Sequence, residues 1–427
     1  LKLSTVNRQP STIIPNNKQR ATNNHYAINY QQSTMLSNNA QRTTSNFIAL
    51  YLLTLLNLLL VSKSNQKNMK RYFVTLLMAV AILPAAAQTG QNLEGKIDEL
   101  QRENESLNHK IDVLEKLVDD VLWFNRLGDV AFIDKVFIYG PPPSKVKNPT
   151  AMGANNPLKF WTYVFIPHNI DPAKKYPLIV LPHGGVHADF TTYHTHIVRE
   201  MIAQGYIVVA PEYRGSTGYG EGLWRQIDYG GLESEDVFAS RNYMVENYDF
   251  VDGNRVGIVG WSHGGMIALH NIFEHPDSYA CAFAGVPVSD MIMRYGYADD
   301  EYRSLYDADY HIGKTPREDI AEYRRRSPTW QAHKLKTPLL IHTNTNDDDV
   351  YVIEVESLIK SLKAEGKKFE YEIFQDMPGG HSFDRIDTKA ARQIRVKIYK
   401  FIAQYLNPPK PIKSVEEINK AAYLPVK

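Results

Sequence analysis

The chain has 427 residues, 43% of them hydrophobic and 11% aromatic. That is enough apolar material for packed domains, and it excludes a chain disordered throughout or a collagen-like repeat. Nine of the 48 basic residues lie before position 88 and the first acid is Glu94, so residues 88–427 carry 39 basic against 47 acidic groups, a formal charge of −8; such a body does not draw nucleic acid or an acidic membrane by bulk charge.

Residues 1–46 are rich in Asn, Gln, Ser and Thr, without acids or periodicity, and cannot build a core. The apolar run 47–61 has 15 residues, short of the roughly 20 that span a bilayer. A second start follows. Met69-Lys70-Arg71 supplies a basic n-region, 72–83 an apolar stretch, and Ala85-Ala86-Ala87 before Gln88 a small-residue cleavage site. This pattern predicts a signal peptide at 69–87, with 1–68 an upstream extension and a mature, exported protein, periplasmic or secreted, that keeps no stable membrane insertion. The other reading of the two apolar runs is a membrane hairpin or anchor.

From Leu93 the apolar residues recur with 4,3 spacing. Ile97, Asn104, Ile111 and Val118 fall at a positions; Leu93, Leu100, Leu107 and Leu114 fall at d, and Val121 follows. β-Branched a with Leu at d predicts a parallel two-stranded coiled coil, and Asn104 at a sets its register. The expected stalk covers 88–128 and makes a homodimer through 93–121. The alternative is an amphipathic helix folded back on its own domain.

Beyond residue 129 short apolar runs alternate with helical stretches, the pattern of an α/β domain with a mainly parallel sheet. Strands are predicted at 135–139, 160–166, 178–181, 207–210, 256–259, 280–284, 339–341 and 369–374. Helices are predicted at 195–204, 234–247, 264–273, 352–364 and 389–405. The domain spans 129–407, and 408–427 reads as a Pro/Lys-rich tail. The lone cysteine, Cys281, lies in an apolar run as a core residue; being single, it forbids an internal disulfide or a CxxC zinc site.

Between the predicted strand 256–259 and the next helix stands Gly260-Trp261-Ser262-His263-Gly264-Gly265. A strand, a strained turn and a helix make a nucleophile elbow, and small residues on both sides of the serine let the backbone pass close. A serine needs a base, and the base an acid to fix its tautomer. The elbow order is Ser, acid, His. Asp347-Asp348-Asp349 follows strand 339–341, and Gly379-Gly380-His381 follows strand 369–374, both at carboxyl ends of strands, where such sheets place their sites. Pro182-His183-Gly184-Gly185 follows strand 178–181. The N–H of Gly184 or Gly185, with that of His263, would complete an oxyanion hole.

Together these pieces resemble the catalytic domain of the prolyl oligopeptidase family of serine hydrolases over about 130–407. The markers are His183-Gly184-Gly185, the segment Tyr213 to Gly220 (YRGSTGYG), the elbow, Ser327-Pro328, the Asp loop and Gly380-His381-Ser382-Phe383. The resemblance implies an α/β-hydrolase fold and an acyl-enzyme on Ser262. It implies that the acid three residues before a valine, Asp347 before Val350, completes the triad. Asp348 stays a lesser candidate, because the loop is one residue longer than the family pattern and begins His342-Thr343. Only about 50 residues separate the heptads from the hydrolase strands, too few for the β-propeller common in family peptidases. Two substrate classes stay open: peptides, for a serine peptidase, or carbohydrate acyl groups and small esters, for a carboxylesterase. A third reading is a non-enzymatic module displayed by the stalk. His183, Tyr213 and Trp261 are expected to line the substrate pocket. The chemistry requires no cofactor, and His194 and His196, two apart at a helix entry, do not share a face as metal ligands would.

Overall fold

The computed structural model describes residues 66–146 and 148–422, with side chains over 95–146 and 148–421. The expected leader at 69–87 falls where side chains lie outside the described residues, as does Leu93, and the apolar run 47–61 lies outside them altogether. The chain divides into two compact units, Leu1–Asn104 and Glu105–Lys427. Helix α1 (Gln66–Leu127) belongs to both. In the first unit Ile97 and Leu100 are exposed. Among the described residues no helix is long and apolar enough to cross a membrane.

The second unit is built on one eight-stranded sheet. Its strands are β1 (Ala131–Gly140), β2 (Leu158–Pro167), β3 (Tyr176–Val180), β4 (Ile207–Pro211), β5 (Val251–Trp261), β6 (Cys281–Gly285), β7 (Leu339–Asn344) and β8 (Glu370–Phe374). Their spatial order is β1-β2-β4-β3-β5-β6-β7-β8. The β1/β2 and β2/β4 pairs are antiparallel and every later pair is parallel. This is the α/β-hydrolase arrangement expected from sequence. Among the described residues no sheet closes into a propeller.

The central parallel strands β3, β4 and β6, and β5 from Val256 on, are apolar because helices cover both faces. One layer packs Val180, Val209, Ile258, Ala284 and Ile341 with Met266, Leu269 and Leu358. The other packs Ile179, Val208, Val259 and Phe283 with Ile197, Met201, Ile398 and Ile402. Cys281, at the head of β6, is buried here between β5 and β7, and burial pushes its thiol up to about 12.

Two segments flanking the expected domain pack against it. The last turns of the stalk helix are part of the core: Trp123 and Leu127 are fully buried in the second core layer, Trp123 stacked on Phe190 with ring centres 5.2 Å apart. The docking residues Lys116, Asp119, Asp120 and Trp123 leave the heptad residues Leu107, Ile111, Leu114, Val118 and Val121 more than half exposed. The helix thus packs on its own domain, but through the side opposite its a/d stripe. The described part of the Pro/Lys-rich tail, 408–422, also packs on the domain. Lys410 N–H donates to Gln204 O at 3.1 Å, Ile412 and Ile418 are buried, and helix α10 (Val415–Ala422) packs on α2 (Thr195–Gln204). Isoleucines spaced through a Pro/Lys-rich segment carry no period, yet they fill a groove.

Candidate active site

Strand β5 delivers Ser262 and helix α4 (His263–Glu274) carries the chain away. Between them Ser262 has φ 59° and ψ −124°, a strained conformation for a residue with a Cβ that costs about 1–3 kcal/mol. The surroundings enforce it. A Cβ on Gly260 would lie 2.0 Å from Gly264 O, so only glycine lets strand and helix pass. Ser262 N–H donates to Gly285 O at 2.9 Å, and its carbonyl accepts from Val288 N at 3.2 Å. The serine is therefore pinned to the end of β6 through backbone alone.

Asp347 follows β7 and is buried. Its Oδ1 accepts the N–H groups of Asp349 and Val350, each at 2.9 Å. Its Oδ2 accepts His381 Nδ1–H at 2.8 Å. A carboxylate can only accept, so this bond puts a proton on Nδ1 and leaves Nε2 as the free basic nitrogen. Asp348, exposed on the same loop, makes no bond of this kind to His381 among the described residues. His381 sits in a single turn after β8, entered through Gly379 at φ 107° and Gly380 at φ 51°. The acid and histidine loops are stapled by Asn344, whose Nδ2 donates to Met377 O at 3.0 Å and Gly380 O at 3.1 Å while its Oδ1 accepts from Met377 N. Among the described residues no hydrogen bond joins Ser262 Oγ to His381 Nε2; such bonds are often long until substrate closes the site.

A third carboxylate borders the site. Asp349 Oδ2 is 3.8 Å from His381 Nε2, and its Oδ1 accepts from Arg294 Nη2 at 2.6 Å. Burial pushes the Asp349 carboxyl up, but Arg294 and His381 outweigh it and hold the group at about 2, ionised. Arg294 in turn reaches Tyr306 OH at 3.1 Å and Asp349 O at 3.1 Å.

Gly184 lies over the nucleophile: a Cβ there would be 3.2 Å from Ser262 Cβ and 3.9 Å from Oγ. His263 is the first residue of α4, where N–H groups have no partner within the helix. Its ring is tied back, Nδ1 to Gly185 O at 2.9 Å and Nε2 to Glu233 Oε1 at 3.1 Å. The HGG loop and the start of α4 therefore hold each other.

The three residues expected to line the pocket are buried. Tyr213 is fully buried and donates its hydroxyl to His183 O at 2.8 Å. His183 is buried too, stacked on Tyr213 with Nε2 3.0 Å from Ser216 Oγ. Trp261 points away from solvent and donates Nε1–H to Asp384 Oδ2 at 2.8 Å. All three brace the loops behind the site rather than line its mouth, because each has its polar atom satisfied from within. Of the other histidines, Nδ1 of His187 faces Gly215 O, His194 stacks on Phe190, and Nε2 of His196 faces Arg385 O. Asn344 and Arg294 were not expected as members of the site, nor Glu212 behind it, while Asp349, one of the three acids of the loop, borders His381 rather than holding it.

Comparisons with known proteins bear on this geometry. The sequence model of the prolyl oligopeptidase family matches residues 192–409. The chain is 27% identical over 293 residues to the acylamino-acid-releasing enzyme of Arabidopsis thaliana, an alignment covering 65% of this chain and 38% of that one. It is 30% identical over 223 residues to human dipeptidyl peptidase 8, covering 49% and 24%. It thus spans well under half the length of these curated relatives. Among solved structures, the acylaminoacyl peptidase of Pyrococcus horikoshii superposes with a TM-score of 0.54 at 21% identity, over 68% of this chain and 44% of that one.

Proposed function

Since the chain belongs to the prolyl oligopeptidase family, we propose that it is a serine peptidase working through an acyl-enzyme on Ser262. The observation that carries this is the His381 Nδ1–Asp347 bond of 2.8 Å beside the strained serine elbow. In the reaction Ser262 Oγ attacks the substrate carbonyl and His381 Nε2 takes the hydroxyl proton. Asp347 stabilises the imidazolium so formed. The carbonyl oxygen, now negative, is received by the N–H groups of His263 and of Gly184 or Gly185. His381 then protonates the leaving amine, and water repeats the sequence to free Ser262. Nothing in these steps calls for a cofactor.

The test is labelling by a fluorophosphonate, with Ser262→Ala as control, followed by a panel of peptide amides and aryl esters. Labelling lost in the variant with amide turnover in the wild type is expected. Ester turnover with no amide cleavage across the panel would turn the reading to a carboxylesterase, and no labelling of the folded wild type would turn it to a binding module.

Export and dimerisation belong to the same reading. The Met69 to Ala87 pattern supports a cleaved leader, checked by N-terminal sequencing of protein recovered outside the cytoplasm, where an end well before Gln88 counts against it. The exposed heptad stripe supports a parallel homodimer, checked by sedimentation.

A further inference from the structure

We propose that Lys116, on α1, is a positioning residue for the oxyanion loop and acts through Glu212 and His183. The inference rests on the reading of His183-Gly184-Gly185 as that loop. It gives the stalk helix a part in the chemistry as well as in packing.

Lys116 is a buried lysine whose ammonium is fully spent inside the domain. Nζ lies 2.5 Å from Glu212 Oε1, donates to Asp189 Oδ2 at 3.0 Å and donates to Phe190 O at 2.7 Å. It also stands 4.9 Å from the centre of the Tyr163 ring. The stem is fitted as closely as the head: a Cβ on Gly218 would lie 2.8 Å from Lys116 Cβ, in a backbone of φ +84° that already favours glycine. The YRGSTGYG segment thus wraps the lysine, and Thr217 Oγ1 donates to Asp189 Oδ1 at 3.1 Å from its other side.

Glu212 carries the connection onward. It is fully buried at the end of β4's run, accepts from Phe190 N–H and from Tyr219 OH at 3.1 Å, and its Oε2 lies 3.4 Å from His183 Nε2. His183 is the residue before Gly184, the glycine over Ser262. The path from α1 to the oxyanion donors is therefore two side chains long. Without the ammonium, Glu212 and Asp189 face each other with no cation between them, and Glu212 keeps the His183 ring 3.4 Å away as its neighbour. Any shift of Glu212 against that ring is a shift against the group that fixes the loop.

The test uses the full chain. Lys116→Met keeps the stem and removes the charge; Glu212→Gln keeps Lys116 bonded to Asp189 and Phe190 O and removes only the carboxylate that faces His183. For each variant, kcat and KM on an activated ester, the fluorophosphonate labelling rate and the affinity for a peptide boronate are compared with the wild type, and circular dichroism monitors folding. We expect kcat and boronate affinity to fall together by about 10-fold to 100-fold, less than the 100-fold to 1000-fold lost with a whole donor, while KM stays within about twofold. A merely structural ion pair would lower the melting temperature and leave the kcat of the folded fraction intact, which would overturn the proposal. If Lys116→Met does not fold, Glu212→Gln decides by the same split. A folded wild type that takes no label overturns the oxyanion-loop reading, and this inference falls with it.

Discussion

Asp347 and Asp348 are neighbours of one chemistry, and only their surroundings separate them. Asp347 receives three donors, His381 Nδ1–H among them, whereas Asp348 is exposed. The spacing to Val350 has a physical basis: the valine is buried, its N–H is aimed at Oδ1, and that contact needs an acid three residues back. Asp347→Asn should lower kcat by about 10³-fold to 10⁴-fold, since the amide favours the wrong tautomer, while Asp348→Asn should stay within about threefold. Equal losses in the two variants would refute the assignment. Ser262, Asp347 and His381 were legible because each sits inside a short motif of glycines and strand ends. Asn344, Arg294, Lys116 and Glu212 were not, because what matters for them is a partner 30 to nearly 100 positions away, and no local pattern encodes that.

At the scale of elements, all eight strands were readable from sequence, the inner ones because strands covered on both faces appear as unbroken apolar runs. The helices α2, α3 (Leu232–Asn247), α4, α8 (Val352–Ala364) and α9 (Lys389–Leu406) were readable from their periodicity. Three helices between β6 and β7, α5 (Met291–Tyr297), α6 (Asp300–Asp307) and α7 (Ile320–Arg325), went unseen; they are short and rich in charge and tyrosine. Asp299 caps α6 and Asp300 pairs with Arg303. In α1 the heptads described one side only, because the docking side is written in Lys116, Asp119, Asp120 and Trp123, which hydropathy counts mostly as solvated. Two substitutions separate the sides. Trp123→Ala empties a fully buried site and should cost about 3–5 kcal/mol in urea unfolding. Leu107→Asp with Leu114→Asp touches exposed positions, so it should abolish dimer sedimentation and leave the labelling rate of Ser262 within about twofold; a monomeric wild type would instead remove the dimer from the reading.

Across the whole molecule, acid acts first on buried histidines. Burial holds His187, His194 and His342 down at about 3 and His270 at about 4, against an ordinary 6.5 in the unfolded chain. Between those limits the unfolded chain binds protons that the folded chain refuses. Stability therefore rises with pH through this window and is lost as pH falls from 6.5. Glu212 and Asp349, whose ion-pair partners outweigh burial and hold each at about 2, add stability that is present above the ordinary carboxylate range and lost only as pH falls towards 2. The thermal midpoint should thus begin to drop below about pH 6.5, with net proton uptake on unfolding near pH 5; a midpoint flat from 7 to 5 would contradict it. Cys281 turns the same sheet into a stopwatch. Alkylating reagents attack thiolates, and the sole thiol of the chain is sealed between the strand that ends at the nucleophile and the strand that leads to the acid. Each molecule tagged by iodoacetamide is one whose central strands have parted, so the tagging rate times the opening of the catalytic scaffold itself, with no probe introduced and no second cysteine to blur the count.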